Sequence, residues 1–196
     1  MSAVYVREYP APPIDRREIL RYLRADPVTG DPGEELTAAI AQALPLCAYR
    51  LCYAEYALHM EEGTVDLGFA RVQSRDLAKN LAGCTHVVLF AATLGLGLDR
   101  LIHRYSAISP TRALCLQAIG AERIEALCDM FEHDIRYASC GGRIHARFSP
   151  GYGDLPLEFQ REVFRVLDCP RRIGLTLNES MLMTPTKSVS AIIGVE

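Results

Sequence analysis

The sequence has no tryptophan, few aromatic residues and no long hydrophobic run. Its longest apolar stretch, Val87 to Leu98, reaches only about half of the ~20 residues a bilayer-spanning helix requires. An excess of either charge is also lacking. The 21 basic and 24 acidic residues leave a net charge of −3, with no basic stripe to hold nucleic acid or an anionic membrane surface. The seven cysteines (47, 52, 84, 115, 128, 140 and 169) contain no CxxC pair. The N-terminus, MSAVYVREYPAPP, places charges and prolines where an export signal carries its apolar core. These absences point to a cytoplasmic protein with reduced thiols that serve as small core residues.

What is present is globular. The chain has 196 residues, 49% hydrophobic and 23% charged. At this length a compact fold removes roughly 70% of the unfolded surface from water, so neither disulfides nor a structural metal is required. No repeat, low-complexity tract or long linker divides it, and the whole chain, 1–196, reads as one domain.

The first twelve residues are proline-interrupted and expected to be extended. Asp15 opens a helical segment in which Ile19, Leu20 and Leu23 share a face. A second helix is expected with Asp31 as N-cap and Pro32 at its first position, running to about Leu44. Residues 49–60 read as a strand and TVDLGFARV (64–72) as its hairpin partner, across a break at Gly63. Ser74 caps a short helix ended by Gly83. HVVLFAAT (86–93) is apolar on both faces and belongs in the middle of a sheet. A further helix runs to about Tyr105. From Ser109 to Tyr137, Leu116, Gly120, Ile124, Leu127, Phe131 and Ile135 form one continuous helical stripe. RIHARF (143–148) reads as a short strand, residues 156–167 as a helix, RRIGLTL (171–177) as a strand and SVSAIIGV (188–195) as the last strand. Helices and strands that do not alternate strictly indicate an α+β fold, a mixed or antiparallel twisted sheet flanked by helices.

Three places could carry chemistry. The turn T-L-G-L-G-L-D, with Gly95, Gly97 and Asp99, follows a buried strand and opens a helix, as a phosphate cradle does, yet Arg100 replaces the third glycine of a dinucleotide fingerprint. Such a turn serves tight packing or, in an independent methyltransferase, a ligand. Glu125 lies on the long helix in line with Ala118, Ala121 and Cys128, beside the apolar stripe, where it faces either a ligand or an arginine. The loop Arg147-Phe148-Ser149-Pro150-Gly151-Tyr152-Gly153-Asp154 offers a guanidinium for a carboxylate, constrained amides and an aromatic face for a base or a sulfonium. Its other reading is a rigid turn tied by an Arg147–Asp154 ion pair. The histidines (59, 86, 103, 133 and 145) are scattered without metal-ligand spacing, and no GxSxG elbow or Cys-His nucleophile arrangement is found.

Two motifs make the last fifty residues resemble a known family. They are Arg-x-x-x-Gly-Tyr, here Arg147, Gly151 and Tyr152, and E-S-x-x-M-x-P-x-x-S-V-S, here Glu179, Ser180, Met183, Pro185, Ser188, Val189 and Ser190. The stretch resembles the activation (reactivation) domain of cobalamin-dependent methionine synthase, in its short, free-standing form. Weaker similarity extends back through the long helix to FAATLGLGLDR. The resemblance implies a site for S-adenosylmethionine formed by Glu125, Arg147, Phe148, Ser149, Gly151 and Tyr152. Arg147 would take the methionine carboxylate and Tyr152 would line the pocket. Gly95, Gly97, Asp99, Glu179, Ser180, Pro185, Ser188 and Ser190 would stand near it.

The family's site does little acid–base chemistry. It brings a sulfonium methyl group to cobalamin held by another module, after one-electron reduction by flavodoxin or ferredoxin, so its contribution is proximity and orientation. No catalytic residue and no metal ligand are implied. In family members an acidic contact precedes the arginine by six residues; here Gly141 stands at that position. The chain carries neither an Asp-x-His-x-x-Gly cobalamin motif nor a Gly-Gly-Cys-Cys zinc site, so the cobalamin is expected on a partner, a methionine synthase core or another corrinoid protein. The alternative is a non-catalytic regulator of a corrinoid protein that no longer uses S-adenosylmethionine.

Overall fold

A computed structural model of the chain describes residues 2–25, 30–61, 64–139 and 142–196; Gly63 and Gly141 fall outside these ranges. The framework is a four-stranded antiparallel sheet, β1 (Tyr5–Glu8), β2 (Arg50–Ala57), β6 (His86–Thr93) and β9 (Ser188–Val195), in the order β1-β2-β6-β9. HVVLFAAT is an interior strand, flanked by β2 and β9 over its whole length. Both faces of the sheet are covered, which explains its unbroken hydrophobicity. Val88, Phe90 and Ala92 point into one core, and Val87, Leu89 and Ala91 into the other.

The first core lies under α1 (Arg16–Leu23), α2 (Glu34–Ala43), α4 (Leu96–Ile108) and α5 (Pro110–Ala138). α1, α2 and α4 all pack on α5, whose apolar stripe from Leu116 to Ile135 is buried at every position. The second core is closed by α3 (Arg75–Asn80), α6 (Gln160–Leu167) and α7 (Cys169–Ile173). A small sheet, β3 (His59–Glu61), β4 (Thr64–Asp66) and β5 (Arg71–Gln73), and a hairpin of β7 (Thr176–Leu177) with β8 (Met183–Thr184), complete the layout.

Several caps follow the sequence. The Asp15 side chain accepts from the amides of Arg17 and Glu18, and Ser74 accepts from Leu77. Ser109 ends α4 and caps α5. Four expectations are corrected. α2 begins at Glu34 after Gly33, because Asp31 is held by the Arg16 guanidinium at 2.7 and 2.9 Å and accepts from the Gly33 amide. β2 pairs with β1 and β6, while residues 64–72 split into two strands of the small sheet. Residues 171–173 of the expected strand 171–177 belong instead to α7 (Cys169–Ile173), whose signals are Pro170 in its first turn and left-handed Gly174 at its end (φ 69°). The extended N-terminal segment gains a role as the edge strand β1.

The fourth correction bears on the site. Residues 143–148 run beside β9 without forming a regular strand. Ile144 bridges Val195 and Phe148 bridges Ile192, so the segment holds one residue more than the strand it faces. That is a β-bulge. In an unbroken strand Ile144 and Phe148 would share a face; here Ile144 packs on the α5 core and Phe148 on the opposite one. The reversal occurs at residues 145–147, and it turns Arg147 onto α5.

Candidate functional site

Arg147 reaches three carboxylates of α5. Its Nη2 donates to Glu125 Oε2 at 2.6 Å, and its Nη1 to Glu132 Oε1 at 2.6 Å and to Asp129 Oδ1 at 3.0 Å. Glu125, Asp129 and Glu132 are spaced four and three residues apart, which places them on one face of the helix. The cluster grades from shielded to open: side-chain exposure is 20% for Glu132, 22% for Arg147, 40% for Glu125 and 69% for Asp129. Burial pushes the Glu132 carboxyl above its ordinary range, against the pull of Arg147. Burial also opposes the Arg147 charge, but the surrounding anionic groups outweigh it and the guanidinium stays firmly protonated.

Glu125 and Arg147, singled out separately in the sequence, thus meet directly. Asp129 and Glu132 were missed. Their i, i+4, i+7 spacing with Glu125 was visible, but it marked an acidic face without revealing the arginine opposite it.

The loop after Arg147 is a compact turn. Gly151 N donates to Leu155 O, Tyr152 N to Ser149 O and Leu155 N to Tyr152 O. Those bonds turn the Gly151 and Tyr152 amides inward. Gly151 has φ 92°, in the region that favours glycine. Phe148 is partly buried and meets Tyr152 edge-on at 6.1 Å between ring centroids, while Tyr152 is 60% exposed. Asp154 does not pair with Arg147. It accepts from Ser74 Oγ and from the amides of Arg75 and Asp76, and so binds the loop to the N-terminus of α3.

The remaining motif residues form a second cluster. Asp99 accepts from the Thr186 amide at 2.6 Å and the Thr186 hydroxyl at 2.8 Å. Ser188 Oγ lies 2.9 Å from Thr93 Oγ1 and donates to Pro185 O at 2.8 Å; Leu94 N donates to Lys187 O. A Cβ on Gly97 would stand 2.5 Å from Leu46 O. The glycine-rich turn is therefore a close-packed seat for the Pro185–Ser190 segment, and its Asp99 carboxylate is spent on that contact. Pro185 and Ser190 are buried, whereas Glu179 and Ser180 lie on the exposed turn between β7 and β8. Arg161 holds that turn through Glu179 O.

Chemically, the Arg147 cluster presents one guanidinium among three carboxylates, with an exposed aromatic on the adjoining loop. It can meet a carboxylate and an ammonium side by side. Among the described residues, no group of three or more His, Cys, Asp or Glu side chains has the geometry to hold a metal ion, and no helix is long and apolar enough to cross a membrane.

No curated protein matches the sequence. Among solved structures, the crystal structure of the MetH reactivation domain bound to AdoHcy resembles this fold with a TM-score of 0.72, over 98% of this chain and 78% of that chain, at 16% identity. The family model described as the activation domain of vitamin B12 dependent methionine synthase matches residues 50–196, which span β2 through β9 and hold every residue of both clusters except Leu46. By that match, the chain belongs to the family of methionine synthase activation domains.

Proposed function

We propose that this chain is an S-adenosylmethionine-binding reactivation module that acts on a separate cobalamin-bearing methionine synthase core. The observation that carries the reading is the Arg147 cluster. A guanidinium beside Glu125, Asp129 and Glu132 is complementary to the zwitterionic amino-acid end of S-adenosylmethionine, with Arg147 for its carboxylate and Glu125 and Asp129 for its ammonium. The bulge supplies the reach of Arg147, and Glu132, the most shielded carboxylate, holds it in place while the other two turn to the ligand. Tyr152 offers an exposed ring at the edge of the site, next to the backbone of Phe148, Ser149 and Gly151. Membership of the activation-domain family and a structural relative that binds AdoHcy support the same reading.

When bound, S-adenosylmethionine supplies an electrophilic methyl group to the reduced corrinoid of the partner. The residues of this chain bind the amino-acid end and orient the sulfonium outward; none is needed as acid or base. Flavodoxin or ferredoxin is the electron donor in this reading, and the cytoplasm its setting. The test is reductive methylation on a methionine synthase core lacking its own activation domain, with methyl-labelled S-adenosylmethionine and reduced flavodoxin. Label in the corrinoid that depends on this chain is expected. Label that appears equally without the chain contradicts the proposal.

One observation favours a second reading. Both Nη nitrogens of Arg147 are engaged by carboxylates of the chain itself, as in a binding module that has closed its ligand site and only regulates a corrinoid protein. A stable complex with the core but no uptake of S-adenosylmethionine would select that alternative.

A further inference from the structure

α1 packs along α5, and between them runs a groove of about 290 Å³ whose walls include Asp15, Glu18 and Tyr22 from the α1 side and Glu122, Glu125 and Asp129 from α5. Glu125 and Asp129 are also partners of Arg147, so the groove adjoins the Arg147 cluster at these two carboxylates, and the two together form an acidic recess. The α1 wall lies before residue 50, outside the stretch matched by the family model. Its position is fixed by α5. Arg123 donates to Pro12 O at 2.6 Å and Pro13 O at 2.7 Å, and Glu122 accepts from the Asp15 amide at 3.1 Å.

The recess is unbalanced in charge. Among the described residues, the six carboxylates of Asp15, Glu18, Glu122, Glu125, Asp129 and Glu132 stand against four guanidiniums, those of Arg21, Arg123, Arg147 and, beside Glu132, Arg136. Arg123 is committed to Glu122 and Arg21 to Glu18, and Arg21 also lies over the Tyr22 ring at 4.5 Å. The carboxylates in excess are that of Asp15, which caps α1 through the Arg17 and Glu18 amides, and those around Arg147. In a recess walled by protein, a field of one sign is screened less than on an open surface. It discriminates between ligands of the same shape and different charge.

We propose that the α1–α5 groove makes this site selective for a cationic nucleoside, so that the sulfonium S-adenosylmethionine binds more tightly than the thioether S-adenosylhomocysteine. Loss of the methyl group to the partner's corrinoid turns a positive sulfur into a neutral one. The acidic recess then holds the product less firmly than the substrate, which favours product release. The inference rests on the S-adenosylmethionine reading and adds the basis of its substrate preference.

The test compares the two nucleosides by isothermal titration calorimetry on the full chain at low and high ionic strength. At low salt, S-adenosylmethionine is expected to bind about five- to tenfold more tightly, with the ratio shrinking as salt screens the recess. Glu18→Gln, which removes a charge at nearly constant volume, should lower the ratio; with this variant, circular dichroism confirms that α1 remains folded. Equal or reversed affinities in the wild-type chain overturn this inference and leave the ligand assignment standing. A preference indifferent to salt assigns selectivity to shape and also overturns it. Binding of neither nucleoside overturns both.

Discussion

Arg123 and Arg147 each bring a guanidinium to carboxylates of α5, one sealed and the other open. Arg123 is fully buried, with a two-point contact to Glu122 and single bonds to Pro12 O and Pro13 O. One cation meets one anion, the remaining donors meet backbone, and the product is a strap that holds the N-terminal segment on the helix. Arg147 meets three carboxylates at the rim, one of them mostly exposed. The difference teaches what to look for in such clusters. A charge pair whose donors and acceptors are matched and dry holds structure, whereas one with surplus charge and an open side has capacity left for a ligand.

The comparison breaks most visibly in stability. Arg123→Ala strands the buried Glu122 carboxylate and two carbonyls, and should cost about 3–5 kcal/mol in denaturant unfolding. It should also admit protease cleavage near residues 12–15. A loss below about 1 kcal/mol would show that the strap carries no weight.

The two glycine-bearing turns extend the contrast. Gly97 lies against the Leu46 carbonyl, so Gly97→Ala should destabilise by about 1–3 kcal/mol while leaving the ligand affinity of the folded fraction unchanged. A changed affinity would return the glycine-rich turn to the binding site.

A smaller effect separates Glu132 from its neighbours. Its folded pKa is raised, so the native state takes up this proton before the unfolded chain does. The penalty for its charge is full above the raised value and is relieved as pH falls from there through the ordinary carboxylate range. Glu132→Gln should raise stability near neutral pH relative to pH 4 and flatten the profile in that window. Thermal unfolding across pH checks this, and an unaltered profile would place Glu132 outside the shielded part of the cluster.

How much of this was legible in the sequence differs from element to element. β6, β9, α5, the helix starts at Asp15 and Ser109 and the cap at Ser74 could be read because each is carried by a long apolar pattern or by a side chain a few residues from its target. The RIHARF segment could not. Its alternation reads as a strand, and the extra residue that turns Arg147 onto α5 is defined only by the register of β9, more than forty residues later. α7 was misread because its apolar residues are too few to set a period, although Pro170 and Gly174 bracket it. Edge pairing of β1 depends on contacts with β2, which no local pattern announces.

The candidate site was half legible. Glu125, Arg147 and the loop were identifiable as residues, but that Arg147 faces Glu125, Asp129 and Glu132, and not Asp154, is a property of the folded chain. The motif residues divide for a similar reason. Asp99 and Ser188 serve the seat between the glycine-rich turn and β9, a structural use that the spacing of the motif does not distinguish from ligand contact.

The central claim, that Arg147 receives the ligand, is tested most directly by titrating S-adenosylmethionine into the wild-type chain and into Arg147→Met under identical conditions. Saturable one-to-one binding is predicted for the wild type. The variant should lose at least about tenfold in affinity, the scale of a charge-assisted contact, while its unfolding free energy falls by less than that of Arg123→Ala, whose partner is the more deeply buried. Equal affinity in the two proteins would contradict the account.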